Sequence, residues 1–533
     1  MRNKIIALAL ACVLLIVLAL PASAALVPQE ERLPFIIVNG MGESPLLSAD
    51  GSPLAWPPAG GDIAIAALKI IAMLPLLAID GGLYGDLAYP ILRELFDAVA
   101  YLPDGTSKHD VGQLKFPDSY AEDKTGMIDT ISHGQMARLY GMDLTYQYVE
   151  DWRKSGFEEA DGLNEMIERL KKEHGVDKVN IMAVSMGGAT ALGYLAKYGH
   201  GSVNNIVFMH TVFQGMYIVG DLFNGRLSFD SETLRGWLAQ SLEGSDPWAG
   251  IVDWLLGALD DAGALQSVLD WAGGLTDAMQ PRIYDEFLVP ALCQFPGFWG
   301  CIPGDEDFES AKALLLDPEL HAELIKQIDD YHYNAFNKAP ELFKKAMADG
   351  RNVYVLSGHD LAGAPVGPRG NAQTDDGLTT ACTSGGATCA PLGQTLGDNY
   401  KQAVACGHIH VSPDNTVDAS TCMLPEQTWF QKDMHHTNFY DEESSQFLLW
   451  LLATNERLSV RSNALYPQFL QLKDGRLLAL GGGEPALGIW YVETGDSPSI
   501  FPETGDGMWA LLLLPLMLCA GAVCVGARRK AEG

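Results

Sequence analysis

The chain has 533 residues, 48% of them apolar, and a formal net charge of −32 at pH 7. Length and apolar content suffice for a large packed core. An acidic surface of this strength repels nucleic acid and anionic membrane, so binding to a phosphate backbone is not expected. At the N-terminus, Arg2 and Lys4 precede the apolar run Ile5–Leu20 and the small-residue stretch Pro21-Ala22-Ser23-Ala24. That is the pattern of a secretory signal peptide over residues 1–24, and it places the body outside the cell.

The body opens on an apolar strand, Leu33–Val38, which runs into Asn39-Gly40-Met41-Gly42-Glu43-Ser44-Pro45. A glycine-rich loop after a strand lets backbone N–H groups face a site without intervening side chains. Ile63–Ile79 and Leu87–Val99 have helical patterning, and Asp118–Thr145 is polar, as expected of a surface crossing. Leu144–Val149 reads as a strand and Phe157–His174 as a helix, with Leu163, Ile167 and Leu170 on one face. The next strand, Val179–Val184, stops at Ser185. Met186, Gly187 and Gly188 follow, and then a helix-favouring run to Tyr198. Strand, sharp turn with serine at the apex, and helix together describe a nucleophile elbow. Its neighbours must be small because strand and helix press close on either side, and here they are Ala183 and Gly187.

Val203–His210 is a further strand, after which strand–helix alternation stops. Residues 213–347 read as helical and acidic, with Trp237, Trp248, Trp254, Trp271 and Trp299. Alternation resumes at Asn352–Leu356. An excursion between two sheet strands is expected to cap the strand ends, where such sheets bind ligands. Any one of these tryptophans serves the cap's own core more readily than an acyl site. Downstream lie a polar loop, Asn371–Gly386, a hairpin-like region around Cys406–Cys422, a strand at Thr428–Phe430 and a closing helix, Glu442–Thr454. Short strands and turns are expected over Val460–Val492.

Serine needs a histidine to take its proton and a carboxylate to orient that histidine. The order Ser185, then Asp, then His is that of an α/β-hydrolase. The oxyanion donors are then the backbone N–H groups of Met41 and Met186. Several motifs together resemble the lecithin:cholesterol acyltransferase and lysosomal phospholipase-like lipases. They are Tyr148-Val149-Glu150-Asp151-Trp152-Arg153, Asp177-Lys178-Val179 ahead of Ser185-Met186-Gly187-Gly188, Phe295-Pro296-Gly297-Phe298-Trp299 with Ile302-Pro303, Asp376-Gly377, and His436-Thr437-Asn438. The likeness spans most of Leu33–Thr454. It implies Asp376 as the acid and His436 as the base, with lipid-like or other acyl-ester substrates. Asp360, just after a sheet strand, is the second candidate for the acid and Asp375 the third; His435 is the alternative base.

Near the C-terminus, Phe501-Pro502-Glu503-Thr504-Gly505 precedes the apolar run Met508–Val525 and Arg528-Arg529-Lys530. This resembles the sorting signal of Gram-positive surface proteins, with phenylalanine where leucine is usual. The resemblance implies a sortase and cell-wall peptidoglycan as partners; a permanent single-pass anchor is the alternative. Six cysteines fall in the body as close pairs, Cys293/Cys301, Cys382/Cys389 and Cys406/Cys422. In an exported protein they are expected to form disulfides, neighbour to neighbour in the simplest pairing. His408 and His410 alternate as on one strand face. With no carboxylate or third histidine obviously placed beside them, they read as a solvated face, and neither metal nor cofactor is expected.

The expectation is therefore a mostly parallel α/β-hydrolase sheet flanked by helices, with a helical cap inserted between two strands. Its parts are core at 25–212 and 348–455, cap at 213–347, extension and spacer at 456–500, and sorting signal at 501–533. The expected activity is cleavage of carboxylic esters through an acyl-serine. The same triad also serves an acyltransferase or a peptidase, and a non-catalytic adhesin on a hydrolase scaffold is the alternative from another class.

Overall fold

The computed structural model describes residues 26–41, 44–48, 54–56, 81–113, 119–122, 133–226, 284–363, 367–369, 378–434, 442–473 and 476–481, with single positions 66, 69, 73, 282 and 436 between them. The signal peptide, the sorting signal, Trp237, Trp248, Trp254, Trp271, Asp375, Asp376 and His435 lie outside the described residues. Among the described residues no helix is long and apolar enough to cross a membrane.

Eight strands form the main sheet: β1 Phe35–Val38, β2 Thr145–Tyr148, β3 Val179–Ser185, β4 Val203–Thr211, β5 Asn352–His359, β6 Thr428–Lys432, β7 Phe469–Lys473 and β8 Arg476–Ala479. Their order is β8-β7-β6-β5-β4-β3-β1-β2. Every pairing is parallel except the last, the β7–β8 hairpin. The central strands are near-continuous apolar runs because both faces are covered. Their alternate residues go to different layers. Ile36, Ile181, Phe208 and Val353 face one core; Phe35, Met182, Val207 and Tyr354 face the other.

The first face carries helix α3, Gly156–His174, and helix α4, Gly187–Tyr198. Ser155 caps α3 by accepting from the Glu158 N–H, and Gly175 ends it in the left-handed region at φ 66°. The second face carries α2, Gly134–Tyr140, and α9, Glu442–Leu452, which buries nearly its whole circumference. Helix α2 falls inside the stretch whose polarity marked it as a crossing. Its seven residues are too few for a visible period, yet Met136, Leu139 and Tyr140 all enter the core.

Between β4 and β5 run α5 Tyr217–Phe223, a π-helix Tyr284–Cys293, α6 Gly304–Leu315, α7 Ala322–Asn334 and α8 Ala339–Ala348. Together with α1, Gly81–Asp97, the first members of this excursion build a third core, which contains Phe96, Phe287, Phe295, Phe298, Trp299 and Leu324. That core also holds Trp152, and Met41, Met186 and Val212 from the segments that meet at Ser185. Helix α8 belongs elsewhere: Phe343 and Ala346 pack on the sheet. It is the crossover helix that a parallel strand β5 requires, and it lay within the stretch read as cap. At the other edge, β7 and β8 extend the hydrolase sheet beyond residue 455. The fold is that of an α/β-hydrolase with a helical insertion over the strand ends.

No disulfide joins the described cysteines, which corrects the expected pairing. Cys293 and Cys301 are buried in the cap core, where burial pushes both thiols far up, and they behave as small apolar groups. The Cys422 thiol is buried as well and pushed up to about 12. Cys406 instead turns outward, beside His408 and Gln402.

Candidate active site

Ser185 ends β3 with φ 54°, a conformation that costs a non-glycine residue and is held by what surrounds it. The Val212 N–H donates to its carbonyl at 3.1 Å. Three glycines make the turn possible. A β-carbon on Gly187 would lie 2.3 Å from the Val38 carbonyl oxygen, and one on Gly188 would lie 2.4 Å from Thr211 Cβ. A β-carbon on Gly40 would meet Ser185 Cβ at 2.3 Å, Ser185 Oγ at 2.8 Å and the Met186 nitrogen at 3.1 Å. The loop after β1 is thus pressed against the serine hydroxyl and against the first N–H of α4. That N–H sits at the positive end of a twelve-residue helix. Met41 and Met186 are both buried, 4% exposed, at this junction.

His436 comes from the loop between β6 and α9. Its Nε2 lies 3.1 Å from Ser185 Oγ, across 251 residues of sequence. The His436 ring is 8% exposed and Ser185 is half-buried. The geometry allows the imidazole to take the hydroxyl proton as the oxygen attacks. His210 packs edge-on against the same imidazole at 6.4 Å between ring centres. It is fully buried, at φ 47°, where β4 bulges opposite Ser185. Sequence reasoning did not single it out. The signal was present, since a histidine interrupts the apolar run Ile206-Val207-Phe208-Met209 next to the elbow strand.

Asp360 stands directly after β5, at φ 70°, but its carboxylate is held by Lys432 Nζ at 2.7 Å. Lys432 also pairs with Asp414 at 2.8 Å. Burial pushes the Asp414 carboxyl up, and hydrogen bonds from Lys432, Ser412 and Thr416 outweigh it, holding the group at about 2. The described ion pair of Asp360 is therefore directed to the C-terminal end of β6.

Two further carboxyls lie behind the elbow helix. Glu150 is buried, accepts from Thr190 Oγ1 at 2.6 Å, and is pushed well above the usual carboxylate range by burial. Burial, reinforced by Asp151, raises Glu159 to about 8. Burial thus favours the protonated form of both carboxyls.

The roof is fastened by two of the motifs quoted above. Asp151 and Arg153 form a buried bidentate pair, Oδ2 to Nη2 at 2.7 Å and Oδ1 to Nε at 2.8 Å. Arg153 also donates to the carbonyls of Val99 and Val111 and stacks over Tyr101. Phe295-Pro296-Gly297-Phe298 sits on this turn. The Gly297 N–H donates to the Arg153 carbonyl at 3.0 Å, and Trp152 lies against Phe295 and Phe298.

A profile of the α/β hydrolase fold matches residues 131–243, from α2 past α5 and including Ser185. No curated protein matches the chain. Among solved structures the chain is similar to "The crystal structure of Tle4-Tli4 complex", at 16% identity over 36% of this chain and 48% of that one, with a TM-score of 0.20. The chain spans about half the length of that relative. The profile match and the parallel sheet agree on an α/β-hydrolase fold, which supports a hydrolase.

Proposed function

We propose that the protein is an exported serine hydrolase that cleaves carboxylic esters of lipid-like or other acyl character through an acyl-serine intermediate. The observation that carries this reading is the 3.1 Å approach of His436 Nε2 to Ser185 Oγ at a positive-φ turn. Ser185 Oγ attacks the ester carbonyl while its proton passes to His436 Nε2. The tetrahedral oxyanion accepts from the Met186 and Met41 N–H groups. His436 then returns the proton to the departing alcohol, and water enters by the reverse sequence. Asp376, in the loop after β5, is the acid of the triad in this reading. The described bond between Asp360 and Lys432 argues against the second candidate.

The apolar residues around the serine, Met41, Met186, Val212 and the aromatic roof, favour an acyl chain over a polar peptide. Attachment to the cell wall by a sortase, through Thr504, follows from the C-terminal pattern and belongs to the same proposal. The test is reaction of the purified body with a fluorophosphonate. Labelling must vanish in Ser185→Ala and fall sharply in His436→Ala; labelling that persists in Ser185→Ala defeats the proposal. A scan of p-nitrophenyl esters of rising chain length, beside peptide substrates, then separates lipase, short-chain esterase and peptidase.

A further inference from the structure

Away from Ser185, the segment 402–426 gathers a thiol, two imidazoles and a carboxylate. Cys406, His408 and His410 each offer one ligand atom, and these atoms lie within 4.8 Å of one another. Glu426 Oε1 stands 2.8 Å from His408 Nδ1 and 3.4 Å from His410 Nε2. In sequence the two histidines read as a solvated face. That holds for His408, but His410 is 1% exposed, and a carboxylate from beyond the hairpin completes the group.

The hydrogen bonds around His410 fix where its proton sits. Gln468 donates from Nε2 to the carbonyls of Pro425 and Thr428, at 2.7 and 3.0 Å. Its Oε1 must therefore be the atom 2.7 Å from His410 Nδ1, and an amide oxygen only accepts. The proton of the neutral ring is on Nδ1, and the Nε2 lone pair points at the carboxylate oxygen of Glu426. His410 is buried and the Glu426 side chain is 28% exposed, and a cation held between these two facing acceptors would satisfy both. An outer-shell acceptor that fixes the tautomer of a histidine in this way is the usual support of a metal ligand. Gln402 does the same for the thiol: its Nε2 donates to Cys406 Sγ at 3.2 Å and to the His408 carbonyl at 3.1 Å, while its Oε1 accepts from the His410 N–H.

We propose that Cys406, His408, His410 and Glu426 bind a zinc ion. One sulfur, two imidazole nitrogens and one carboxylate oxygen make a four-ligand set that suits tetrahedral Zn²⁺. Thiolate and carboxylate together balance its charge. Ligation through His408 Nδ1 puts that ring's proton on Nε2, which now touches Arg461. The Arg461 side chain, 53% exposed, then swings away and keeps its bond to Glu426 Oε2. The site lies at the N-terminal ends of β6 and β7, whereas Ser185 lies at a C-terminal end. Its role is structural: it pins the segment 402–410 to the sheet edge.

The test uses untagged full-length protein exchanged into zinc and dialysed. The expected content is about one zinc per chain, falling at least about tenfold in His408→Ala, a partly exposed position whose truncation leaves the core packing untouched. With Co²⁺ in its place, intense visible bands and a sulfur-to-cobalt charge-transfer band are expected. Cys406→Ser should remove the charge-transfer band while the visible bands shift. Phenanthroline should lower the thermal midpoint without changing fluorophosphonate labelling of the folded protein. Zinc content below about a tenth per chain, or content and cobalt spectra identical in parent, His408→Ala and Cys406→Ser, would overturn the assignment and leave His410 as a protonated partner of Glu426.

Discussion

Beside Ser185 the close contacts are made by backbone and β-carbons; in the core around Trp152 they are made by aromatic side chains. On the sheet side, Gly40, Gly187 and Gly188 are fixed by contacts under 2.5 Å to any added β-carbon, and each contact atom belongs to main chain or to the first carbon of a side chain. On the roof side, Trp152, Phe295 and Phe298 interlock, Trp299 packs on Phe223 and Phe308, and a buried Asp151–Arg153 pair ties the turn to residues 99–111. The first region sets the position of one oxygen atom and contributes little buried area. The second contributes buried area and holds no group that reacts. Chemistry and cohesion are thus assigned to different regions of the molecule, and substitutions should separate them.

The largest separation is expected at the nucleophile. Ser185→Ala should abolish labelling and lower ester turnover by about 10⁴-fold or more, with a thermal midpoint close to the parent's. A collapse of the fold in this variant would break the division between the two sides. The carboxylates sharpen it. Asp376→Asn should cost about 10³–10⁴-fold in kcat, and Asp360→Asn less than about tenfold, because its described partner is a lysine. The reverse ranking, read from steady-state kinetics, would move the acid to the end of β5.

The roof should show the opposite signature. Asp151→Ala leaves Arg153 buried and uncompensated and should destabilise by about 3–5 kcal/mol in denaturant unfolding. Gly297→Val places a β-carbon 2.1 Å from the Trp152 carbonyl oxygen and should cost about 1–3 kcal/mol by the same measurement. Both should keep Ser185 reactive in whatever fraction stays folded.

A further effect is one of pH. Glu159, raised from 4.5 to about 8, binds its proton more tightly folded than unfolded. Its contribution is complete below the unfolded value and is lost as pH rises through about 8, so stability falls across that window. Glu159→Gln should flatten the dependence. Asp414, held at about 2, has the opposite sign: its contribution is present above its ordinary 3.8 and is lost as pH falls through about 2.

The elbow was legible in the sequence because its cause is local. A strand, a serine and two glycines lie within ten residues, and steric exclusion admits few other readings. His436 was legible only through resemblance and order, since nothing in its neighbourhood encodes a partner 251 residues away. His210, α2 and the β7–β8 hairpin were not singled out as parts of site or core. In each the deciding contact is tertiary: a ring against a ring, a short helix against α9, a strand against β6. The same holds for Glu426, whose approach to His410 depends on the path of the chain around Cys406. The two motifs Glu150-Asp151-Trp152-Arg153 and Phe295-Pro296-Gly297-Phe298 were visible separately. That one is the seat of the other, through the Gly297–Arg153 bond, only the fold reveals.

The packing of Gly40 against the serine β-carbon has a consequence for how such an enzyme can diversify. The floor of the site admits no side chain larger than hydrogen at three points, so drift there is lethal to the geometry. Any shift in substrate preference must be written into residues elsewhere, and libraries that randomise the insertion while sparing the loop after β1 should yield altered selectivity at undiminished reactivity.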